Sequence, residues 1–143
     1  SRVALCHRKI AGGTLLSGTT LVRLAFLLAA VAVGSAAIGA HLLEGLLDAS
    51  QLHQWEVATR ILFWHAVGLW ICAERYRGPG TLMLISTLIF CGSVFALSLG
   101  APGFFGLLAP VGGMGLIASW LWLVVVAPAR GSFSENAGQN DRT

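Results

Sequence analysis

Five ionisable residues carry whatever chemistry the apolar part of this chain can perform: His41, Glu44, Glu56, Arg60 and His65. Arg60 and His65 interrupt the run 57–73, VATRILFWHAVGLWICA, which is otherwise long and apolar enough to enter a bilayer. An ionisable side chain at membrane depth is costly and needs a partner, and His41, Glu44 and Glu56 in the preceding segment are the nearest ones. Glu56 and Arg60 stand at i and i+4 with the acid first, the favourable order for pairing on a helix. On a helix, His65 falls roughly 7 to 8 Å beyond Arg60, near the membrane midplane.

Two kinds of chemistry fit that cluster. The structural one is a polar bridge pinning the first and second helices together around an acidic connector. The functional one is a seat for a lipid head group, a quinone or a metabolite held by Arg60, His65 and His41, including use as a minimal transporter. A bis-histidine haem is disfavoured, because one haem needs its two ligands at matching depth and His41 lies near the boundary while His65 lies deeper. A proton path across the membrane is disfavoured too, since the third and fourth apolar segments contain no charged residue.

Other chemistries lack their residues. Cys6, Cys72 and Cys91 show no CxxC or Cys/His spacing, and two of them fall in apolar runs, where a free cysteine behaves as a small buried hydrophobe. There is no zinc pattern, no glycine-rich phosphate loop, no nucleophile elbow and no recognisable pair of nucleophile and base. The expectation is a non-enzymatic protein with no cofactor, no metal and no nucleic-acid partner.

The elements that must position the cluster follow from composition. The chain has 143 residues, 56% hydrophobic and only 10% charged, with a mean hydropathy of +0.79. A soluble domain averages about 25% charged residues. An all-α integral membrane protein is expected, with an up-and-down bundle of four spans at 24–43, 57–73, 81–99 and 107–127 joined by short loops. Segment 1–23 holds Arg2, Arg8, Lys9 and Arg23 and no acid, the composition of a mitochondrial targeting remnant or of a basic flank. Segment 128–143 is a polar tail. Ser17, Thr19 and Thr20 are available to cap the first helix, Asp48 or Ser50 the second, and Trp55 suits the interfacial belt.

Small residues recur at helical spacing and predict close helix packing: Ser35, Gly39 and Ala40 in the first span, Gly92 and Ala96 in the third, Gly112, Gly113 and Gly115 in the fourth. With four spans, both termini share one side with Arg2, Arg8, Lys9, Arg23, Arg75, Arg77, Arg130 and Arg142, while the other side carries only Glu44, Asp48 and Glu56. The positive-inside rule then puts both termini in the cytoplasm or the mitochondrial matrix.

Several of these residues together resemble a known family. Gly39-Ala40-His41-Leu42 closing the first span, Trp55 to Leu69 with Ala58, Arg60 and His65-Ala66, Gly92-Ser93, Pro110-Val111-Gly112-Gly113 and Trp120 are similar to the motifs of the YgdD-like, or transmembrane protein 256-like, family of small membrane proteins, domain-of-unknown-function family 423. The match covers roughly residues 26 to 127. It implies a four-span bundle in a bacterial or mitochondrial inner membrane and no established activity. The chain departs from the pattern at Ile61 and Leu62, where the family has Tyr and Gln after the arginine, and at Ala36 and Ala37, where an aromatic is common.

Joined together, these features predict a non-catalytic accessory (supernumerary) subunit of an inner-membrane assembly, in the first instance a mitochondrial respiratory-chain complex. Its partners would be membrane lipids and other transmembrane subunits. The alternative function is a small lipid-, quinone- or metabolite-binding membrane protein or minimal transporter using the Arg60, His65 and His41 cluster; the alternative location is a bacterial inner membrane.

Overall fold

Four long helices account for most of residues 16–128, the part of the chain that the computed structural model describes. Helix α1 runs Gly18–Ile38 and continues through a π-helical segment, Gly39–Leu43; α2 is Ala49–Cys72, α3 Arg77–Ser98 and α4 Phe105–Val126. No strand occurs among the described residues. Of the basic segment expected over 1–23, residues 1–15 lie outside the described residues and 18–23 open α1. The polar tail lies outside them from residue 129 onward.

Local chemistry sets the helix boundaries. The Ser17 hydroxyl caps α1 by accepting the Thr20 N–H at 3.2 Å. Asp48 and Gln51 form a reciprocal capping box at 2.9 and 3.1 Å, so α2 starts at Ala49 rather than at residue 57 and takes in the polar stretch ASQLHQWE. The turn after α2 is shorter than the run of Gly and Pro suggests. Gly78, Pro79 and Gly80 sit in the first turn of α3, where the missing proline N–H would have had no helical partner anyway. A Schellman motif closes α3: Gly100 adopts φ +86°, its N–H donates to the Leu97 carbonyl at 3.0 Å, and the Ala101 N–H donates to that of Ala96 at 3.0 Å. Because α4 begins at Phe105, Pro110 falls in its second turn, not its first, and withholds one helix hydrogen bond there.

Each helix packs antiparallel on the next. The start of α1 meets the end of α2, with Gly18 against the Ala73 carbonyl, and the end of α1 meets Trp55 near the start of α2. Along α2 and α3, Gly80 packs on Cys72, Gly68 on Met83, and the Cys91 thiol donates to the Ala58 carbonyl at 3.5 Å. Helices α3 and α4 come closest, and the backbones of α1 and α4 do not approach each other, so the helices follow one another as a row in chain order, with side chains of α4 reaching back to α2. The core is a seam along this row: Leu21, Ala25, Leu28 and Ala32 from α1, Leu62, Ala66, Leu69 and Cys72 from α2, Met83, Leu84 and Cys91 from α3, and Leu116 from α4.

The small residues divide between packing and exposure. A Cβ on Gly112 would stand 2.6 Å from the Phe90 nitrogen and 2.8 Å from its Cα, so that position fixes the backbone approach of α4 to α3. Gly115 packs on Ser86 in the same seam, and Gly113 faces the Phe90 ring. Ser35 and Gly39 are buried against α2, whereas Ala40 is exposed and Ala96 half-buried. Gly92 faces open space, contrary to its expected packing role. The face of α3 that meets its neighbours carries Ser86, Thr87, Cys91 and Val94 instead.

Helices α1 with its π-helical extension, α3 and α4 are each long and apolar enough to cross a membrane. Helix α2 falls short of that composition because its first two turns are polar. Among the described residues, one end of the row carries Arg23, Glu74, Arg75 and Arg77, and the other carries His41, Glu44, Asp48, His53 and Glu56. Large apolar side chains such as Phe26, Leu107, Ile117 and Val125 are exposed along the flanks, as befits surfaces facing lipid.

Gly112→Val is expected to lower the thermal unfolding temperature of the detergent-solubilised chain, with a loss of about 1 to 3 kcal/mol from overpacking against the Phe90 backbone. Gly92→Ala, which meets nothing, is expected to leave it unchanged or slightly raised. Equal effects at the two positions would contradict the packing described.

Candidate functional site

The five residues singled out from the sequence do not converge. Three of them, Glu56, Arg60 and His65, lie on α2, which presents them on two faces because successive residues step around a helix by roughly 100°. Glu56 and Arg60, one turn apart, face a groove between α1 and the outer half of α2. His65, five residues beyond Arg60, turns the other way, toward α4.

His65 is buried, 7% exposed, and both ring nitrogens are engaged. Nδ1 lies 2.7 Å from the Ile61 carbonyl, and the Trp120 indole N–H donates to Nε2 at 3.2 Å. An indole only donates and a carbonyl only accepts, so this network assigns the proton to Nδ1 and the lone pair to Nε2. The ring is therefore held as one neutral tautomer with no lone pair left for a ligand. Gly68, one turn further along α2, provides the space: a Cβ there would stand 3.2 Å from the Trp120 ring. The backbones of α2 and α4 do not approach each other, so Trp120 reaching His65 is a direct tie between them.

The groove is built by Trp55. Its indole N–H donates to the Ser35 carbonyl at 2.7 Å, in the last turn before the π-helical segment. Its ring meets Phe95 of α3 edge-on, with centroids 4.6 Å apart. A Cβ on Gly39 would lie 2.9 Å from the indole Cδ1, so glycine at the start of the π-helical segment lets the indole stand against α1. Trp55, read from the sequence as an interfacial anchor, thus joins three helices. The groove beside it has a volume of about 550 Å³ and is floored on the α1 side by Ala32, Val33, Ala36, Gly39 and Ala40. On the α2 side, Glu56, Thr59, Arg60, Phe63 and Trp64 line it in order from the acidic end inward.

Glu56 and Arg60 are both exposed to this groove, and neither forms an ion pair within 4.0 Å with another described residue. Thr59 adds a buried hydroxyl with no hydrogen-bond partner among the described residues. The hydroxyls of Thr81, Thr87 and Ser119 each return to the carbonyl four residues back, at 2.7 to 2.8 Å. Thr59 alone of these four does not, and it alone lines the groove. His41, in the π-helical segment, and Glu44, in the following turn, are exposed and outside the groove lining. The expected bridge uniting His41, Glu44, Glu56, Arg60 and His65 is therefore not formed: α1 and α2 are tied by the Trp55 indole instead. Thr59 carries no signal in the sequence as a site residue, and Trp120 carries one only as part of the family motif.

Among the described residues, no three His, Cys, Asp or Glu side chains are grouped to hold a metal ion. Cys72 and Cys91 are free and buried; Cys6 lies outside the described residues.

An all-helical chain with three helices fit to cross a bilayer, apolar flanks and charge sorted to its two ends is a small integral membrane protein. It belongs to the family described as Protein of unknown function (DUF423), whose model matches residues 35–113, from the turn before the π-helical segment to the third turn of α4. The chain is 34% identical over 108 residues to the UPF0382 membrane protein YwdK of Bacillus subtilis, covering 69% of this chain and 88% of that protein. UPF0382 membrane proteins of Staphylococcus saprophyticus and Staphylococcus haemolyticus are 35% and 32% identical over 104 and 102 residues. These cover 68% and 66% of this chain and 87% and 84% of theirs. No solved structure gives a significant match. The three relatives named are bacterial membrane proteins, and nothing in them supports a mitochondrial location or a place in a respiratory complex.

Trp120→Phe removes the indole N–H and leaves the buried His65 Nε2 without a donor. We expect a loss of about 1 kcal/mol in unfolding free energy, and a coupling of similar size in a double-mutant cycle with His65→Ala. Strict additivity of the two changes would contradict the tie.

Proposed function

We propose that this protein is a non-catalytic component of a bacterial cytoplasmic membrane that binds an amphiphile whose head group carries a phosphate or carboxylate in the groove between α1 and α2. The observation that carries this reading is Arg60: a guanidinium one turn inside the acidic end, opening into a groove of small and aromatic residues, with no acid paired to it among the described residues. An arginine in such surroundings needs a counter-charge, and the planar fork of its donors suits a phosphate or carboxylate. The aromatic side chains deeper in the groove, Phe63 and Trp64, suit an apolar tail.

The same reading takes all four helices as spans. The antiparallel packing of α2 between α1 and α3 supports this, since its apolar stretch 57–72 runs beside theirs and its polar first two turns emerge at the acidic end. Both termini then lie in the cytoplasm with the arginine-bearing end. An accessory role in a larger assembly draws on the exposed apolar flanks of α1 and α4. Lipid covers such flanks equally well, so the groove carries the stronger reading.

Trp55 and Trp64 both line the groove, which gives a direct readout. With the purified full chain, a phospholipid brominated on its acyl chain is expected to quench tryptophan fluorescence with saturation. Arg60→Ala should weaken the half-saturating concentration by about tenfold, a charge-assisted contact being lost, while Arg75→Ala at the opposite end should leave it unchanged. Equal weakening by both variants would overturn the groove as the seat. Cysteines introduced at Gly45 and Arg75 in a cysteine-free background should label from opposite sides of sealed vesicles; labelling from one side would overturn the four-span topology.

A further inference from the structure

We infer that the groove between α1 and α2 selects a zwitterionic phospholipid with a primary ammonium, phosphatidylethanolamine, from the outer leaflet. This rests on the groove being an amphiphile seat and adds which head group it takes.

The inference comes from the order of the lining residues with depth. Passing inward from the acidic end, α2 presents Glu56, then Thr59 and Arg60, then Phe63 and Trp64, while α1 opposes them with Ala40 and Gly39, then Ala36, then Val33 and Ala32. The sequence of properties is anion, hydroxyl with cation, then aromatic and aliphatic. A phosphatidylethanolamine molecule in the outer leaflet presents the complement in the same order: ammonium outermost, phosphate beneath it, acyl chains below. Glu56 and Arg60 are separated by about one helical turn, roughly 6 Å along the axis, comparable to the two-methylene spacer between the ammonium and phosphate of ethanolamine phosphate.

Neither charge is spent on another described residue. Glu56 and Arg60 have the i, i+4 spacing and order that favour pairing, yet no contact within 4.0 Å joins them, so both remain free to meet a ligand. The Thr59 hydroxyl, lacking a partner among the described residues, stands next to Arg60; threonine has two accessible χ1 rotamers on a helix, and a hydroxyl with no bond to give up is free to exchange between them. Trp55 and Gly39 bound the groove at head-group depth, where the π-helical segment widens α1. An anionic lipid such as phosphatidylglycerol would satisfy Arg60 but leave Glu56 facing a neutral glycerol beside a negative phosphate. Phosphatidylcholine carries a cation with no N–H to donate to a carboxylate. Of these three head groups, ethanolamine alone offers both a hydrogen-bonding cation for Glu56 and an anion for Arg60.

The test uses the full chain in a neutral detergent, incubated with an equimolar mixture of dioleoyl phosphatidylethanolamine, phosphatidylcholine and phosphatidylglycerol, with bound lipid read by native mass spectrometry. Phosphatidylethanolamine adducts are expected to exceed each of the others about fivefold, the yield of one charge-assisted contact. Glu56→Gln should abolish the preference over phosphatidylglycerol while adducts persist; Arg60→Gln should reduce adducts of all three by about tenfold. Both side chains are exposed and make no intramolecular hydrogen bond with described residues, so unchanged thermal unfolding is expected to accompany both variants. Adducts that depend on Arg60 but show no head-group preference, or a preference that survives Glu56→Gln, would overturn the ethanolamine selectivity and leave the amphiphile seat standing. Adducts independent of Arg60 would overturn both.

Discussion

An arginine in an apolar helix has to be given a counter-charge, and much of the outer half of this protein is arranged around that requirement. Desolvating a guanidinium without a partner costs several kcal/mol even by the lenient insertion scales, about 2.5 to 3.5 at a helix centre. Here Arg60 lies one turn inside the acidic end and opens into a groove rather than into the seam between helices. The seam is closed by other means. The Trp55 indole bonds to the Ser35 carbonyl and rests on Gly39, so α1 and α2 are joined beside Arg60 without using its charge. A structural salt bridge would have consumed the guanidinium; the tryptophan tie leaves it available.

The inner half of the row follows a different logic. His65 is locked between the Ile61 carbonyl and the Trp120 indole, a use of histidine as a two-ended hydrogen-bonding spacer rather than as a base or ligand. Glycines 68, 112 and 115 allow the close contacts in that region. With little hydrophobic drive between helices in lipid, such van der Waals approach and interhelical hydrogen bonds are what hold a membrane fold together. Separating the two tasks along α2, a tie inward and an open charge outward, lets the protein keep a polar groove without loosening its packing.

The all-helical class, the sorting of charge to the two ends and the family were legible in the sequence, because composition and motif spacing act through the whole chain. The helix starts were less so. The Asp48–Gln51 capping box begins α2 eight residues before its apolar run, and a reading by hydropathy alone sees only residue 57 onward. The division of the Glu56–Arg60 and His65 faces follows from helical phase, five residues being about 140° around the helix, whereas the cost of ionisable groups in lipid says only that each needs a partner. Trp55 and Trp120 could not be assigned, since indole partners depend on where neighbouring backbones fall. The π-helical segment over Gly39–Leu43 leaves no signature in composition beyond its glycine. The small-residue rule succeeded where a neighbour approached, at Gly112 and Gly115, and failed at Gly92, because spacing marks a face without saying whether that face is covered.

The central claim is that a phospholipid head group sits between Glu56 and Arg60. Intermolecular nuclear Overhauser effects, recorded on the full chain in phosphatidylethanolamine-containing bicelles, address it atom by atom. Contacts from the head-group methylenes to the Thr59 methyl and the Trp55 ring, and from acyl protons to Phe63 and Trp64, are the expected result. Head-group contacts spread evenly over the exposed ends of all four helices, with none enriched at Thr59, would contradict it.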